Sequence, residues 1–302
     1  MKSRAYRIEH ETRYAHSARA LTSQHVACLG LRSLPRQRVV SHRLDIDPQP
    51  AYAKERLDYF GNTVTEFTIL TGYAELHVTS HHVVEVSPVE SSIDPTTTPP
   101  WEDVRDELVY RRGAPYDGAT EFAYPSPFAE AAIELEVFAR EVFTPRTPVL
   151  VGAIELMHRI NREFLFDPGA TSITTPVTRV LAERRGVCQD FAHLQIACLR
   201  ALGLAARYVS GYLLTDPPPG QPRLVGADAS HAWLSVRCLR DVWVDLDPTN
   251  DVLPDLRHIT MAWGRDYGDV SPLRGVVLGG AEHLLHVGVS VVPIEADAAP
   301  ED

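Results

Sequence analysis

The sequence predicts an α+β protein: an N-terminal antiparallel β domain, then a core in which helices come first and short antiparallel strands follow. Three observations carry this. Tyr6, Ile8, His10, Thr12 and Tyr14 alternate with Arg7, Glu9, Glu11 and Arg13, a period of two with the charges on one face. Helix-starting Ser-Pro and Thr-Pro pairs recur at Ser126-Pro127, Thr147-Pro148 and Thr175-Pro176. Beyond Gly203 the period changes, leaving short apolar or alternating runs over 205–214, 232–239 and 242–247.

Taken in order, residues 1–92 form the β-rich domain. Leu44 and Ile46 continue the alternation before Pro48, and a further strand is expected from Leu76 to Val86. Phe60-Gly61-Asn62-Thr63 is a hairpin signal, because Gly and Asn tolerate the positive φ of a primed turn, and Thr65, Phe67 and Ile69 alternate after it. One face of such a sheet is solvated. Residues 93–146 are a linker and helical connection, with 93–115 rich in Pro, Thr and charge. A helix is expected from Ser126-Pro127 through Phe143, with Ile133, Val137 and Phe138 on one side. The core, 147–262, begins with a helix over 149–164, then a short one that ends at Gly186. A stronger helix runs from Cys188 to Leu202, striped by Phe191, Leu194, Cys198 and Leu202, and Gly203 ends it. The Pro-rich segment 215–223 reads as a loop. Residues 263–302 form a C-terminal extension with one final strand over 282–293.

The 302 residues exceed the comfortable size of one small core, so two domains are expected. Hydrophobic content of 44% with 23% charge is that of a globular protein, and a net charge of −11 argues against a nucleic-acid or anionic-membrane surface. Lys2 and Lys54 are the only lysines; the arginines are scattered and mark no binding site. Cys28, Cys188, Cys198 and Cys238 include no CxxC pair and are too few for a disulfide framework. No apolar h-region opens the chain, and no run approaches the ~18 apolar residues of a membrane span. A reducing cytoplasm is therefore expected, and it suits a free thiol.

Three segments carry chemistry: GVCQDFAHL (186–194), ASHAW (229–233) and VWVDLDPTN (242–250). Cys188 opens a helix, where unpaired N–H groups and the macrodipole favour thiolate over thiol and can hold a developing oxyanion. His231 begins a strand and is the natural base or ion-pair partner for that thiol. Asp247 ends the next strand, where a neighbouring pair of strands would bring it to the other ring nitrogen of His231. Asp245 competes for this role, since residues two apart in a strand point the same way.

These segments, with RRGVCQDFAHLQIACLRALGLAARYVSGYL (184–213), resemble the bacterial transglutaminase-like proteins. The resemblance implies a papain-like cysteine protease core and assigns Cys188, His231 and Asp247 as catalytic, favouring Asp247 over Asp245. Residues 1 to about 90, with DYFGN (58–62), resemble the β-rich N-terminal region that often precedes this domain, and GRDYGDVSPLRG (264–275) also looks like that group. Asp241-Val242 departs from it, because relatives usually place glycine before the tryptophan. The implied activity is acyl transfer at an amide through a Cys-His-Asp triad, without cofactor. Hydrolysis of a peptide-like or amide substrate comes first, protein-glutamine transamidation beside it. Relatives also tend to be encoded near ATP-grasp-like proteins, which implies partners in a small peptide pathway. Papain's own spacing is different: its His follows its Cys by ~130 residues or more, whereas His231 follows Cys188 by 43.

Other readings stand beside this one. An acyl-thioester-dependent N-acyltransferase would share the triad, and a silent binding or scaffold protein would share the fold. Cys188, His193, His231 and Cys238 offer soft metal ligands, but their spacing matches no zinc pattern. Cys28, Cys198 and Cys238 read as packing residues, and Asp190 as a helix cap. His193 is five residues from Cys188, off its helix face, and reads as structural. Tyr208 and Tyr212 read as core or cleft lining. His81-His82 and the acidic run 102–107 read as solvated surface.

Overall fold

The alternating N-terminal run becomes one strand, β1 (Arg4–Ala27), in the computed structural model of the chain, which describes residues 2–89, 93–113, 115–215 and 230–295. Tyr6, Ile8, His10 and Thr12 are buried on one face, with Arg7, Glu9 and Arg13 exposed on the other. β2 (Gln37–Asp47), β3 (Tyr52–Leu57), β4 (Thr63–Ile69) and β5 (Tyr73–Val86) complete the N-terminal part, all paired antiparallel. The β3–β4 hairpin turns where expected, with Gly61 at φ +73°. A register shift between Ala15 and Ala20 divides β1 into two halves. The first lies between β5 and β13 (His283–Ile294), the second between β4 and β12 (Leu273–Gly279). The C-terminal extension thus supplies two strands, not one, and both complete the N-terminal sheet of seven. Each edge of so long a strand carries backbone N–H and C=O groups that need partners.

Two short strands, β6 (Leu165–Phe166) and β7 (Arg185–Gly186), pair in parallel. The core is a four-stranded antiparallel sheet in the order β10 (Val242–Leu246), β9 (Ser230–Leu239), β8 (Ala206–Leu213), β11 (His258–Gly264). β8, β9 and β10 fall on the expected runs, whereas β11 was not expected. The expected loop over 215–223 lies, apart from Thr215, outside the described residues. Asp241, at φ +61°, takes the left-handed position between β9 and β10, a conformation Asp tolerates better than most residues. The helix α5 (Cys188–Ala201) packs its apolar side on β8 and β9. α3 (Val149–Glu163) and α4 (Val177–Glu183) pack on α5 in turn, and α6 (Tyr267–Val270) is a single turn over β8 and β11.

Four expectations are corrected. Residues 93–115 are not a bare linker, since α1 (Trp101–Leu108) buries Trp101 (1% exposed), Val104 and Leu108, leaving the acidic residues outermost. Trp101→Ala is expected to cost about 3–5 kcal/mol of stability, measurable by urea unfolding; a loss below 1 kcal/mol would mean that the helix is not part of the fold. The helix expected from 127 is shorter, α2 (Ile133–Arg140), and its buried side is Leu135, Phe138 and Ala139; Ile133 (67% exposed) and Val137 face water. Arg184, at φ +54°, and not Gly186, closes α4. His82 is buried and stacked on His42, with ring centroids 4.7 Å apart, so only His81 behaves as partly solvated.

β11 is an edge of the core sheet, and side chains from the N-terminal part satisfy its open backbone. Gln37 donates from Nε2 to the Thr260 carbonyl at 2.6 Å and accepts the Thr260 N–H at 2.8 Å. Asn62 repeats the device, donating to the Trp263 carbonyl at 2.8 Å and accepting its N–H at 3.0 Å. A carboxamide offers the same donor-acceptor pair as a neighbouring strand. Asp58 holds Asn62 in place, accepting its backbone N–H and its Nδ2, both at 2.8 Å. The DYFGN turn is therefore a clasp between the two parts of the molecule, and one apolar core runs through both.

Candidate active site

Cys188 is the first residue of α5, as the sequence predicts, and its partly exposed side chain opens onto a cleft of about 210 Å³. Asp190 accepts the Val187 N–H at 2.8 Å and the Thr171 hydroxyl at 2.6 Å, which fixes the turn that presents the thiol. Gly186 serves this turn by its lack of a side chain: a Cβ there would sit 2.8 Å from the Cβ of Asp190. The N–H groups of the first helical turn have no partner within the helix and lie beside the thiol.

β9 carries His231 to the same cleft, and the chain just past β10 brings Asp247 beneath it. His231 Nε2 lies 2.7 Å from Asp247 Oδ2, and that leaves Nδ1 for the thiol side. Burial pulls the imidazole pKa down. The hydrogen bonds and negative charges of Asp247 on one side and Cys188 on the other outweigh this and hold it up at about 10. The three residues expected to work together are thus gathered at one place.

Asp247 (0% exposed) is more heavily bound than the motif alone suggests. Oδ2 accepts from His231, from Asn250 Nδ2 at 2.7 Å and from His258 Nε2 at 3.1 Å. Oδ1 accepts the backbone N–H groups of Thr249 at 3.0 Å and Asn250 at 3.3 Å. Burial alone would raise the carboxyl pKa; the bonds from His231 and His258 and the imidazolium charge push it far below the usual range. Asp245 points elsewhere, accepting the Ser235 hydroxyl and facing Arg36 at 4.0 Å. The alternation rule does not align the two aspartates, because β10 ends at Leu246 and Asp247 already belongs to the following turn.

His258 and Asn250 were not singled out in the sequence. His258 Nδ1 accepts the Asp255 N–H at 3.4 Å, which places its proton on Nε2, toward Asp247. The available signal was the apolar run Ile259–Ala262 between Pro254 and Gly264, a strand whose first residue would be this histidine. Among the described residues, the His, Cys, Asp and Glu side chains close enough to share a cation are His231, Asp247 and His258. They are not the four soft ligands considered from sequence. His193 is buried on α5, accepts the Tyr267 N–H at 3.1 Å and stacks against Phe128 and Tyr208. Cys28, Cys198 and Cys238 are buried, and burial pushes the thiols of Cys28 and Cys238 up to about 12.

The N-terminal sheet walls the cleft with His10, Thr12 and Tyr14, and β13 adds Leu285 and Val287. Tyr208 lines the cleft, while Tyr212 is buried behind it and holds His10 Nδ1 at 2.9 Å. Among the described residues, no helix is long and apolar enough to cross a membrane.

Residues 6–85 match the bacterial transglutaminase-like N-terminal region, and residues 137–248 match the transglutaminase-like superfamily. Uncharacterized proteins of Mycobacterium bovis and Mycobacterium tuberculosis are 44% identical to this chain over 301 residues, spanning 97% of it and 94% of their own length. A protein-glutamine gamma-glutamyltransferase of Pseudomonas aeruginosa is 32% identical over 104 residues, 33% of this chain and 16% of that protein. Among solved structures, one from Cytophaga hutchinsonii, assigned by its name to the cysteine proteases, superposes with a TM-score of 0.73 at 18% identity. It covers 99% of this chain and 94% of its own, which shows the shared fold. Motifs, fold and relatives agree that the chain belongs to the transglutaminase-like superfamily, with its bacterial N-terminal region.

Proposed function

We propose that this protein is a thiol enzyme that transfers an acyl group from an amide, with Cys188 as nucleophile, His231 as its proton partner and Asp247 as the group that orients and charges His231. Membership in the superfamily supports thiol-dependent chemistry in general. The observation that carries the specific reading is the continuous chain from the Cys188 thiol through His231 to Asp247, at the end of an open cleft. Because the imidazole is held at about 10, the proton rests on His231 at neutral pH, and the charged ring stands beside the Cys188 sulfur. The sulfur attacks the amide carbonyl carbon and the carbonyl π electrons move to oxygen. Collapse breaks the C–N bond while the departing amine takes the proton from His231. Water or a second amine then attacks the thioester, giving a proton back to His231 as the thiolate leaves.

Water is the acceptor favoured here, which makes the protein a peptidase or amidase. The cleft of about 210 Å³ is walled by His10, Thr12, Tyr14, Leu285 and Val287, and so suits a small amide or a peptide end better than a glutamine on a folded protein. Transamidation remains the second reading, on the strength of the matching segment in the Pseudomonas gamma-glutamyltransferase. Partners in an ATP-grasp-associated peptide pathway would fit a peptide-like substrate. Unpaired thiols at all four cysteines suit a reducing compartment, and the cytoplasm is the proposed site of action.

Iodoacetamide alkylation across pH, read by peptide mass spectrometry, tests the nucleophile. Cys188 is expected to react below pH 7 at least ~10²-fold faster than Cys28 or Cys238, whose thiols are buried and protonated. Equal rates would remove the activated thiol. Cys188→Ala is expected to abolish release of p-nitrophenol from p-nitrophenyl acetate beyond the buffer rate.

A further inference from the structure

A thiol attack on an amide leaves negative charge on the carbonyl oxygen, and one backbone N–H at the start of α5 meets only part of that demand. The cleft wall offers a second donor. Tyr208 stands on β8 directly under α5 and lines the same cleft as Cys188. Its ring is locked, stacked on His193 with centroids 4.7 Å apart and meeting the edge of Tyr267 at 6.4 Å. The residue is only 2% exposed and lines the cleft, and its hydroxyl enters no hydrogen bond with another described residue. Tyr212, four residues on and on the same strand face, is different: its hydroxyl is engaged by His10.

A buried tyrosine normally finds a partner for its hydroxyl. We propose that the partner of the Tyr208 hydroxyl is the substrate's carbonyl oxygen, so that Tyr208 and the backbone N–H at the α5 N-terminus together hold the oxyanion. This inference rests on the thiol acyl-transfer reading and adds a catalytic residue to it. The chemistry of the side chain agrees. Burial raises the phenol pKa well above its usual value, and the negative charge of Cys188 raises it further, so Tyr208 keeps its proton and donates a hydrogen bond without releasing it. In the attack the C=O π pair becomes a lone pair on oxygen, which accepts the O–H and the N–H. When the C–N bond breaks, that pair reforms the carbonyl and the amine leaves with the His231 proton. Tyr208 begins and ends each step protonated. The locked ring keeps the donor in place before charge develops, the condition under which such a bond contributes most.

The test compares Tyr208→Phe with the unaltered protein, since Phe keeps the ring contacts and removes only the donor. Three probes are used on the full chain: p-nitrophenyl acetate, the aldehyde N-acetylglycinal, and iodoacetamide. The ester and the aldehyde both place an oxyanion or hemithioacetal oxygen beside the thiol, whereas alkylation at a saturated carbon creates none. Tyr208→Phe is expected to slow ester acylation about 10²-fold and to weaken aldehyde binding by a similar factor, leaving the alkylation rate of Cys188 unchanged. Unchanged acylation and aldehyde affinity would overturn the proposal. A parallel loss of alkylation would also overturn it, because Tyr208 would then support the thiol and not the oxyanion. A wild-type Cys188 that alkylates no faster than Cys28 would instead bring down the acyl-transfer reading itself, and this assignment with it.

Discussion

Asp247→Ala is expected to lower kcat/KM toward p-nitrophenyl acetate about 10³–10⁴-fold, the scale at which losing the orienting carboxylate acts in comparable triads. The reason lies in what the carboxylate holds. His231 stands at about 10 because the bond and charge of Asp247 outweigh its burial; without them burial dominates and the imidazole pKa falls. The substitution also strands donors in a closed space. His258 Nε2–H, Asn250 Nδ2 and two backbone N–H groups lose their acceptor. Breaking a buried charged network in this way costs about 3–5 kcal/mol, so the variant should unfold earlier in urea. Asp247→Asn keeps the shape and part of the bonding and separates the two effects: activity still collapses while most of the stability returns. Asp245→Ala removes contacts to Ser235 and Arg36 and a negative charge that the buried Arg207 faces, none of them part of the triad, and activity should stay within a few-fold of the parent. Equal losses at the two aspartates would undo the assignment of Asp247.

Acid should unfold this protein between about pH 5 and 4, ahead of ordinary carboxylate titration, because it buries neutral histidines. Burial pulls His82 and His193 down to about 3 and His10 to about 4, from an ordinary value of 6.5. None has a carboxylate beside it to hold a proton, and a proton on His82 would also be opposed by any charge on His42 and His10. Below pH 6.5 the unfolded chain takes up protons at these positions and the folded chain does not, so stability falls as pH falls and recovers as it rises. At pH 5 each such histidine costs about 2 kcal/mol. Three together approach about 6 kcal/mol, comparable with the whole stability of a typical domain. His231 has the opposite shift and adds no loss in this window: its contribution is complete below 6.5 and fades only as pH rises through about 10. Far-UV circular dichroism against pH reads the transition. His82→Leu removes one titrating site of similar size and should move the acid midpoint down by roughly half a pH unit. A midpoint that does not move would mean that His82 is protonated in the folded protein.

Much of the fold was legible because it rests on short-range rules. Alternation over residues 4–14 records a strand with one wet face, and the stripe from Phe191 to Leu202 records a helix on a sheet. Where one long strand or one long helix is buried on a single side, periodicity reports it. The misreadings have local causes as well. A Pro-rich composition hid the buried Trp101, and a Ser-Pro pair suggested a helix start six residues too early, because Ser126 pairs back to Ala129 in a turn. Ile133 and Val137 are apolar yet exposed, so composition alone assigned α2 the wrong face.

The sequence by itself determined the fold class, the family, and the candidates Cys188 and His231, each marked by neighbours within a few residues. What only tertiary structure decided involves partners far apart in the chain. Asp247 separates from Asp245 only when β10 ends and the next turn swings under His231. His258 comes to the site on a strand that Gln37 and Asn62, each some two hundred positions away, hold in place. The cleft wall joins residues 10–14 to residues 285–287, the two ends of the chain in one sheet. Periodicity carries no information about such contacts, because they depend on which surfaces meet after each element has formed.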